Sequence, residues 1–254
     1  MENVTIRYFE RPKLEDAVLI EGLPGVGNVG KLAAEHLIEQ LEFIKFAEIY
    51  SKFLPPQVIV GEDGTVQLVK HDLYYKKGAD GVRDMVLLSG DYQGLTPEGQ
   101  YELSHETIKF AKEFGVTLIF TLGGYGVIKL VEEPGVLGAV TSIDLKPALE
   151  ASGVVFRSGE PSSGIIGASG LLLGLGALEG LPGVCLMGET SGYFVDPRSA
   201  RSVLRALSKY LGFEIEYESL EKKATQIDEI TSRIKDNLEE SETPERPDDL
   251  RYFG

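Results

Sequence analysis

Runs of apolar residues bounded by turn residues recur along most of the chain and predict seven β-strands. The predicted strands cover 3–9, 17–21, 43–50, 66–74, 84–89, 116–122 and 183–188. They are rich in Val, Ile, Leu, Phe and Tyr, the residues that pack well on a pleated surface. Several runs are continuous rather than alternating, which is typical of strands buried on both faces.

Between the strands, apolar residues recur at helical spacing and predict helices over 29–42, 97–114 and 196–211. Thr96 precedes Pro97, and Asp196 precedes Pro197. These pairs are N-cap signals for the helices predicted over 97–114 and 196–211. Strands that alternate with helices predict an α/β fold with three layers and a mainly parallel sheet. We expect one such body over residues 1–215.

The pattern changes after the predicted body. Apolar residues spaced three and four apart predict a C-terminal helix within 216–240, which could pack either on a partner or on its own body. The following segment, 241–254, is dominated by acidic and polar residues and is predicted to be disordered. It nevertheless ends with Tyr252 and Phe253, an aromatic pair with no local core to join.

Composition and charge exclude several classes of function. The 254 residues include 25 Lys+Arg and 40 Asp+Glu, a formal charge of −15, which disfavours binding to nucleic acids or anionic membranes. A single cysteine excludes an internal disulfide or a multi-cysteine zinc site, and no residues have metal-ligand spacing. Neither a membrane-length apolar run nor a secretory signal is visible, so we expect a cytoplasmic protein.

One glycine motif resembles a nucleotide-binding loop. Gly25, Gly27 and Gly30 form Gly-x-Gly-x-x-Gly between a predicted strand and a predicted helix. In a dinucleotide-binding fold, an acidic residue follows about 20 residues later to bind the ribose. Glu48, which lies 18 residues past Gly30, is the candidate.

The same loop also fits a second, incompatible template. Residues 25–31 match Gly-x-x-x-x-Gly-Lys, with Lys31 as the phosphate-binding lysine, but Leu32 stands where Ser or Thr would hold Mg²⁺. Pro24 removes a backbone donor just before the loop. We therefore favour a structural interpretation, a tight strand-to-helix turn, and keep a ligand loop as the alternative.

Candidate nucleophiles and acids do not form a recognisable catalytic set. Ser169 lies in a glycine-rich stretch, 164–170, but not in Gly-x-Ser-x-Gly. The three histidines, His36, His71 and His105, fall within predicted helices or strands rather than on loops.

Three acids follow strand-like runs and could pair for acid–base chemistry: Asp91, Glu189 and Asp196. Their spacing does not show that they converge, and Asp196 is equally explained as a helix cap. We therefore predict neither an enzyme nor a cofactor.

Four glycine-containing segments follow one another along the chain: LIEGLPGVGNVG at 19–30, TLGGY at 121–125, GIIGASGLL at 164–172 and GETSG at 188–192. Taken in order, they resemble the proteasome-assembly-chaperone family, and its archaeal members most of all. The resemblance covers about 1–212. It implies a phosphorylase/hydrolase-like α/β fold used for protein association rather than catalysis. It also implies a homo-oligomer, for which we expect a tetramer rather than a pentamer.

The resemblance also implies a role for the last three residues. Proteasome activators and archaeal assembly chaperones of this kind end in a hydrophobic–Tyr–any-residue tripeptide. It docks between α-subunits of the proteasome ring, with its carboxylate facing a lysine. Here Tyr252, Phe253 and Gly254 take the three places in turn. Phe253 keeps the aromatic ring but lacks the phenolic hydroxyl, a loss worth about 0.5–1.5 kcal/mol if that hydroxyl is buried and bonded.

The sequence therefore predicts an ATP-independent, proteasome-associated protein, either an assembly chaperone homologue or an activator. Its C-terminal tails would dock on the proteasome α-subunit ring. The alternative is an α/β enzyme that binds a nucleotide or nucleoside through the loop from Gly25 to Lys31.

Overall fold

A nine-stranded sheet forms the centre of the computed structural model, which describes residues 2–79, 81–127, 131–162, 164–227 and 229. The strands are β1 (Val4–Tyr8), β2 (Ala17–Gly22), β3 (Ile44–Ser51), β4 (Val58–Val60), β5 (Val66–Leu68), β6 (His71–Lys76), β7 (Met85–Gly90), β8 (Val116–Gly126), β9 (Val136–Val140), β10 (Val154–Val155) and β11 (Gly183–Thr190). The helices are α1 (Val29–Gln40), α2 (Pro97–Glu113), α3 (Lys146–Ala151), α4 (Ala168–Leu178) and α5 (Pro197–Leu211).

The main sheet has the order β1-β3-β6-β7-β2-β8-β11-β9-β10. Its four central strands, β7, β2, β8 and β11, are parallel. β6 and β9 pair antiparallel on either side of this centre. The remaining strands, β4 and β5, form a separate antiparallel hairpin.

Helices cover both faces of the sheet and complete three layers. Val18 and Ile20 on β2 belong to a buried cluster with α1 and α5. Leu19, between them, belongs to the cluster on the opposite face with α2 and α4. Because successive side chains of a strand point to opposite faces, a continuous apolar run fills both layers. The predicted α/β fold is confirmed.

Two predicted helix caps are present. The Thr96 side chain accepts a hydrogen bond from the backbone N–H of Gly99 at the start of α2. Asp196 accepts one from the N–H of Ser199 at the start of α5, with an O–N distance of 3.0 Å. These contacts satisfy backbone donors that a helix leaves unpaired at its first turn.

The prediction of a single strand over 66–74 is wrong. The segment divides between β5, in the hairpin, and β6, in the main sheet. The hydrophobic pattern of the sequence also did not indicate β4, β9, β10, α3 and α4. α4 was hidden by its glycines at positions 170, 174 and 176, because glycine disfavours helices in isolation.

The chain after α5 packs back on its own body as far as it is described. Residues 218–227 are helical, and Leu220 and Ala224 within them are buried. His36 on α1 fixes this segment: its Nε2 donates to the Glu216 carbonyl at 2.6 Å, and its Nδ1 accepts from the Ser219 hydroxyl at 3.1 Å. The predicted tail over 241–254 lies outside the described residues.

Candidate functional site

The glycine loop from Gly25 to Lys31 lies at the carboxyl end of β2, where open α/β sheets hold ligands. Residues Val26–Asn28 form one 3₁₀ turn, and α1 begins at Val29. Gly27 has φ +60° and Asn28 has φ +53°, so the backbone passes twice through the left-handed region. This turn redirects the chain from strand to helix within a few residues.

Two glycines of the loop allow close packing within the protein. A Cβ atom at Gly30 would lie 2.1 Å from the carbonyl oxygen of Leu122 on β8. One at Gly27 would lie 2.7 Å from the Thr190 side-chain oxygen on β11. These two glycines therefore allow the loop to pack closely against β8 and β11, as the structural interpretation of the motif predicts.

Lys31 is engaged by acidic side chains. Its Nζ lies 3.1 Å from Oδ1 of Asp91 and 3.7 Å from Oε1 of Glu35. In a phosphate-binding loop this lysine would face the ligand's negative charge. Here a carboxylate already occupies that place, so the geometry does not favour the alternative ligand loop.

Glu48 is not brought to the loop. It lies on β3, three strand positions from β2 in the sheet, a separation of about 14 Å at the usual strand spacing. Lys45, at 2.7 Å, and Lys70 both bind its Oε1, and the Tyr50 hydroxyl donates to its Oε2 at 2.8 Å. Burial opposes ionisation, but these hydrogen bonds outweigh it and lower the pKa of Glu48 to about 2.

The three other candidate acids are also kept apart. Asp91 follows β7 and Glu189 lies on β11, again three strand positions away. Glu189 binds Arg157 at 2.7 Å and the backbone N–H of Gly135 at 3.2 Å. Because Asp196 caps α5, none of the three pairs with another for acid–base chemistry.

A buried carboxyl group at the end of β2 was not predicted from the sequence. Glu21 is fully buried; its Oε1 accepts from the N–H of Leu23 at 3.0 Å, and its Oε2 accepts from the Ser169 hydroxyl at 2.9 Å. Burial raises the pKa of Glu21 to about 7, although both hydrogen bonds oppose the rise. A single acid inside the continuous apolar run AVLIEG was the signal that could have identified it.

Among the described residues, Ser169 has no catalytic partner set around it. Its described hydrogen bond goes to Glu21, whereas His71 is buried and donates from Nε2 to the Tyr92 carbonyl at 2.7 Å. The hydrogen bond between Ser169 and Glu21 ties the first turn of α4 to the end of β2.

The single cysteine is not a nucleophile. Burial raises the pKa of the Cys185 thiol to about 12, which keeps it protonated and unreactive at neutral pH.

Within the described ranges, no three His, Cys, Asp or Glu side chains lie close enough to hold a metal ion. The helices of the described chain include none with the length and apolar character to cross a bilayer. The predicted docking residues Tyr252, Phe253 and Gly254 fall outside those ranges.

Comparison with known proteins identifies the family. The model of the PAC2 family matches residues 19–235. A protein of Methanocaldococcus jannaschii that carries no functional description is 43% identical, over 99% of this chain and 97% of its own length.

Two solved structures from Pyrococcus furiosus are similar over almost the whole chain. PbaB, an archaeal proteasome activator, has a TM-score of 0.89 and 41% identity, covering 92% of this chain and 100% of its own. PbaA, an archaeal homologue of proteasome-assembly chaperone, has a TM-score of 0.78 and 30% identity, covering 94% of each chain. This chain belongs to the PAC2 family and is homologous to both proteins.

Proposed function

We propose that this PAC2-family chain is a proteasome-associated protein, an assembly chaperone homologue or activator, that works without ATP in the cytoplasm. The observation that carries the proposal is the similarity to PbaB, a proteasome activator, over 92% of the chain at 41% identity. At that identity and coverage, the likeness extends to the whole body rather than to one motif.

The geometry of the glycine loop supports a role in association rather than catalysis. Its glycines pack against the carbonyl of Leu122 and the side chain of Thr190, and Lys31 forms an ion pair with Asp91. Glu48 and Glu189 lie on different strands, Asp91 follows a third, and Asp196 caps α5. A body of this kind acts as a scaffold that presents binding elements, and we propose that it is not an enzyme.

We propose that Tyr252, Phe253 and Gly254 are the element that docks on the proteasome α-ring. Two adjacent aromatic rings provide a compact apolar anchor, although one such peptide binds weakly because it becomes ordered on binding. Several copies of the anchor on one oligomer would raise the avidity by about 10²–10⁴-fold. For this reason we propose a homo-oligomer, with a tetramer favoured over a pentamer.

Capture of the cognate proteasome α-ring and mature core particle tests this mechanism. The full-length chain and a variant that lacks 252–254 are compared on the same resin. Tyr193→Ala is the matched control, since it removes an aromatic ring that is 82% exposed on the body. We expect the deletion to abolish capture and the control to retain it. Unchanged capture after deletion would exclude the tail mechanism.

A thermal-shift panel of nucleotides and nucleosides tests the alternative. A ligand that binds only the folded chain raises its melting temperature by mass action. We expect no shift for any member of the panel. A shift that Lys31→Ala removes would instead support a ligand loop.

A further inference from the structure

The hairpin formed by β4 and β5 exposes an apolar face. Val58 pairs with Leu68, and Val60 pairs with Val66, so these four side chains share one side of the hairpin. All four are exposed, Val60 at 65% and Val66 at 63%. A two-stranded hairpin is marginally stable by itself in water, and a continuous apolar face of this kind marks an interaction site.

Two grooves lie beside this face where the hairpin joins the main sheet. One, of about 540 Å³, is lined by Val58, Leu68 and Lys52, among others. The other, of about 560 Å³, is lined by Val66, Leu68 and Arg7 with Phe9. Both grooves therefore combine an apolar wall from the hairpin with a cationic side chain, Arg7 on β1 or Lys52 directly after β3.

Two cations of the grooves, Arg7 and Lys52, have no carboxylate partners within the described part of the chain, whereas Lys70, which also lines the second groove, is paired. Lys45 and Lys70 nearby are bound to Glu48 and Asp72. Arg7 and Lys52, by contrast, make no ion pair among the described residues and lie over the rings of Phe9 and Phe53 at 5.3 and 5.2 Å. They remain free to meet negative charge from outside.

The tip of the same hairpin has the opposite charge. Glu62 and Asp63 are exposed between β4 and β5. One surface thus presents an acidic tip, an apolar face and two unpaired cations at its base. Such a surface is complementary to itself: in a two-fold contact, the tip of one copy reaches the base of the other while the apolar faces meet.

We infer that the β4–β5 hairpin and its two grooves form an interface between copies of this chain. The inference rests on the homo-oligomer of the proposed function and names one of its interfaces; because a two-fold contact joins two copies, a tetramer needs a second interface besides it. Glu62 of one copy would face Arg7 or Lys52 of the other, around the packed side chains of Val60 and Val66.

The first test measures mass in solution by light scattering and native mass spectrometry. Val60→Glu places a charge on the apolar face, and Ile143→Glu, at a side chain 74% exposed elsewhere on the body, is the matched control. We expect the wild type and the control to be oligomers. For Val60→Glu we expect at least a tenfold weaker association, with unchanged circular dichroism.

A charge exchange makes the test specific. Arg7→Glu and Glu62→Arg should each weaken association at least tenfold, and the chain that carries both should recover most of it, because the opposite charges face each other again. A Val60→Glu variant that keeps the wild-type mass, or a double variant that fails to recover, overturns the interface while leaving the proposed function intact.

A monomeric wild type overturns both the interface and the oligomeric part of the proposed function. The capture experiment with the 252–254 deletion still tests whether the tail docks on the proteasome. If that monomer loses capture when Val60 becomes Glu, the face binds the proteasome instead of a second copy, and the inference is again wrong.

Discussion

The buried carboxyl of Glu21 makes the stability of the protein depend on pH in a defined window. In the unfolded chain it ionises near the ordinary value of 4.5, whereas in the folded protein it keeps its proton until about pH 7. Between these values the unfolded state binds fewer protons, so the free energy of unfolding falls as pH rises. A difference of 2.5 units corresponds to about 3 kcal/mol by pH 7 and above.

Glu21→Gln removes this titration while retaining a side chain of the same shape. The amide oxygen can still accept from the N–H of Leu23, and the amide nitrogen can donate to Ser169. We expect the variant and the wild type to have equal stability near pH 4.5. At pH 8 we expect the variant to be more stable by about 3 kcal/mol.

Urea denaturation followed by circular dichroism at pH values from 4.5 to 8.5 gives the free energy of unfolding for both proteins. Glu150→Gln, at an exposed position on α3, controls for the loss of one surface charge. The difference between Glu21→Gln and the wild type should grow between pH 4.5 and 7 and then become constant. Parallel curves across this window would refute the buried-carboxyl argument.

Three further predictions concern packing and polar contacts. Gly30→Ala should lower the free energy of unfolding by about 1–3 kcal/mol, because its Cβ would collide with the Leu122 carbonyl. Gly25→Ala, where the space is open, should change it by less than about 1 kcal/mol in the same denaturant titration. Glu48→Gln should cost about 2–3 kcal/mol at pH 7, a cost that disappears as pH falls from 4.5 to about 2; denaturation at pH 7 and pH 3 measures it. His36→Ala removes both side-chain bonds to the C-terminal segment, so amide hydrogen exchange should accelerate over 216–227 relative to α5.

The central strands and the helix caps could be predicted because their signals are local. A continuous apolar run such as 17–21 needs no knowledge of its neighbours, and Thr96 before Pro97 identifies a helix start by itself. α4 could not be predicted in this way. Gly176 on that helix lies where a Cβ would come within 2.9 Å of the Ile119 side chain, so its glycine reflects packing that only the folded chain reveals.

In the candidate site, too, the features set by local sequence could be predicted, whereas those set by the arrangement of the strands could not. The loop at Gly25–Gly30 was located correctly as a strand-to-helix turn, because glycine and strand patterns are local. Whether Glu48 or Glu189 faces the loop depends instead on the folded sheet. Strand order places Glu48 three strand positions from β2, whereas Glu189 directly precedes Thr190, which contacts the loop, but binds Arg157 and Gly135 instead. Spacing along the chain carries no information on strand order. Likewise, Glu21 and Ser169, which touch, are 148 positions apart.

The separateness of the β4–β5 hairpin has a consequence for divergence within the family. Its paired side chains, Val58 to Val60 and Val66 to Leu68, belong to none of the buried clusters. Substitutions there can alter what the hairpin binds without unfolding the body. Relatives that share one scaffold can therefore evolve different assemblies by changing this segment alone, while selection for foldability acts on the sheet and its helices.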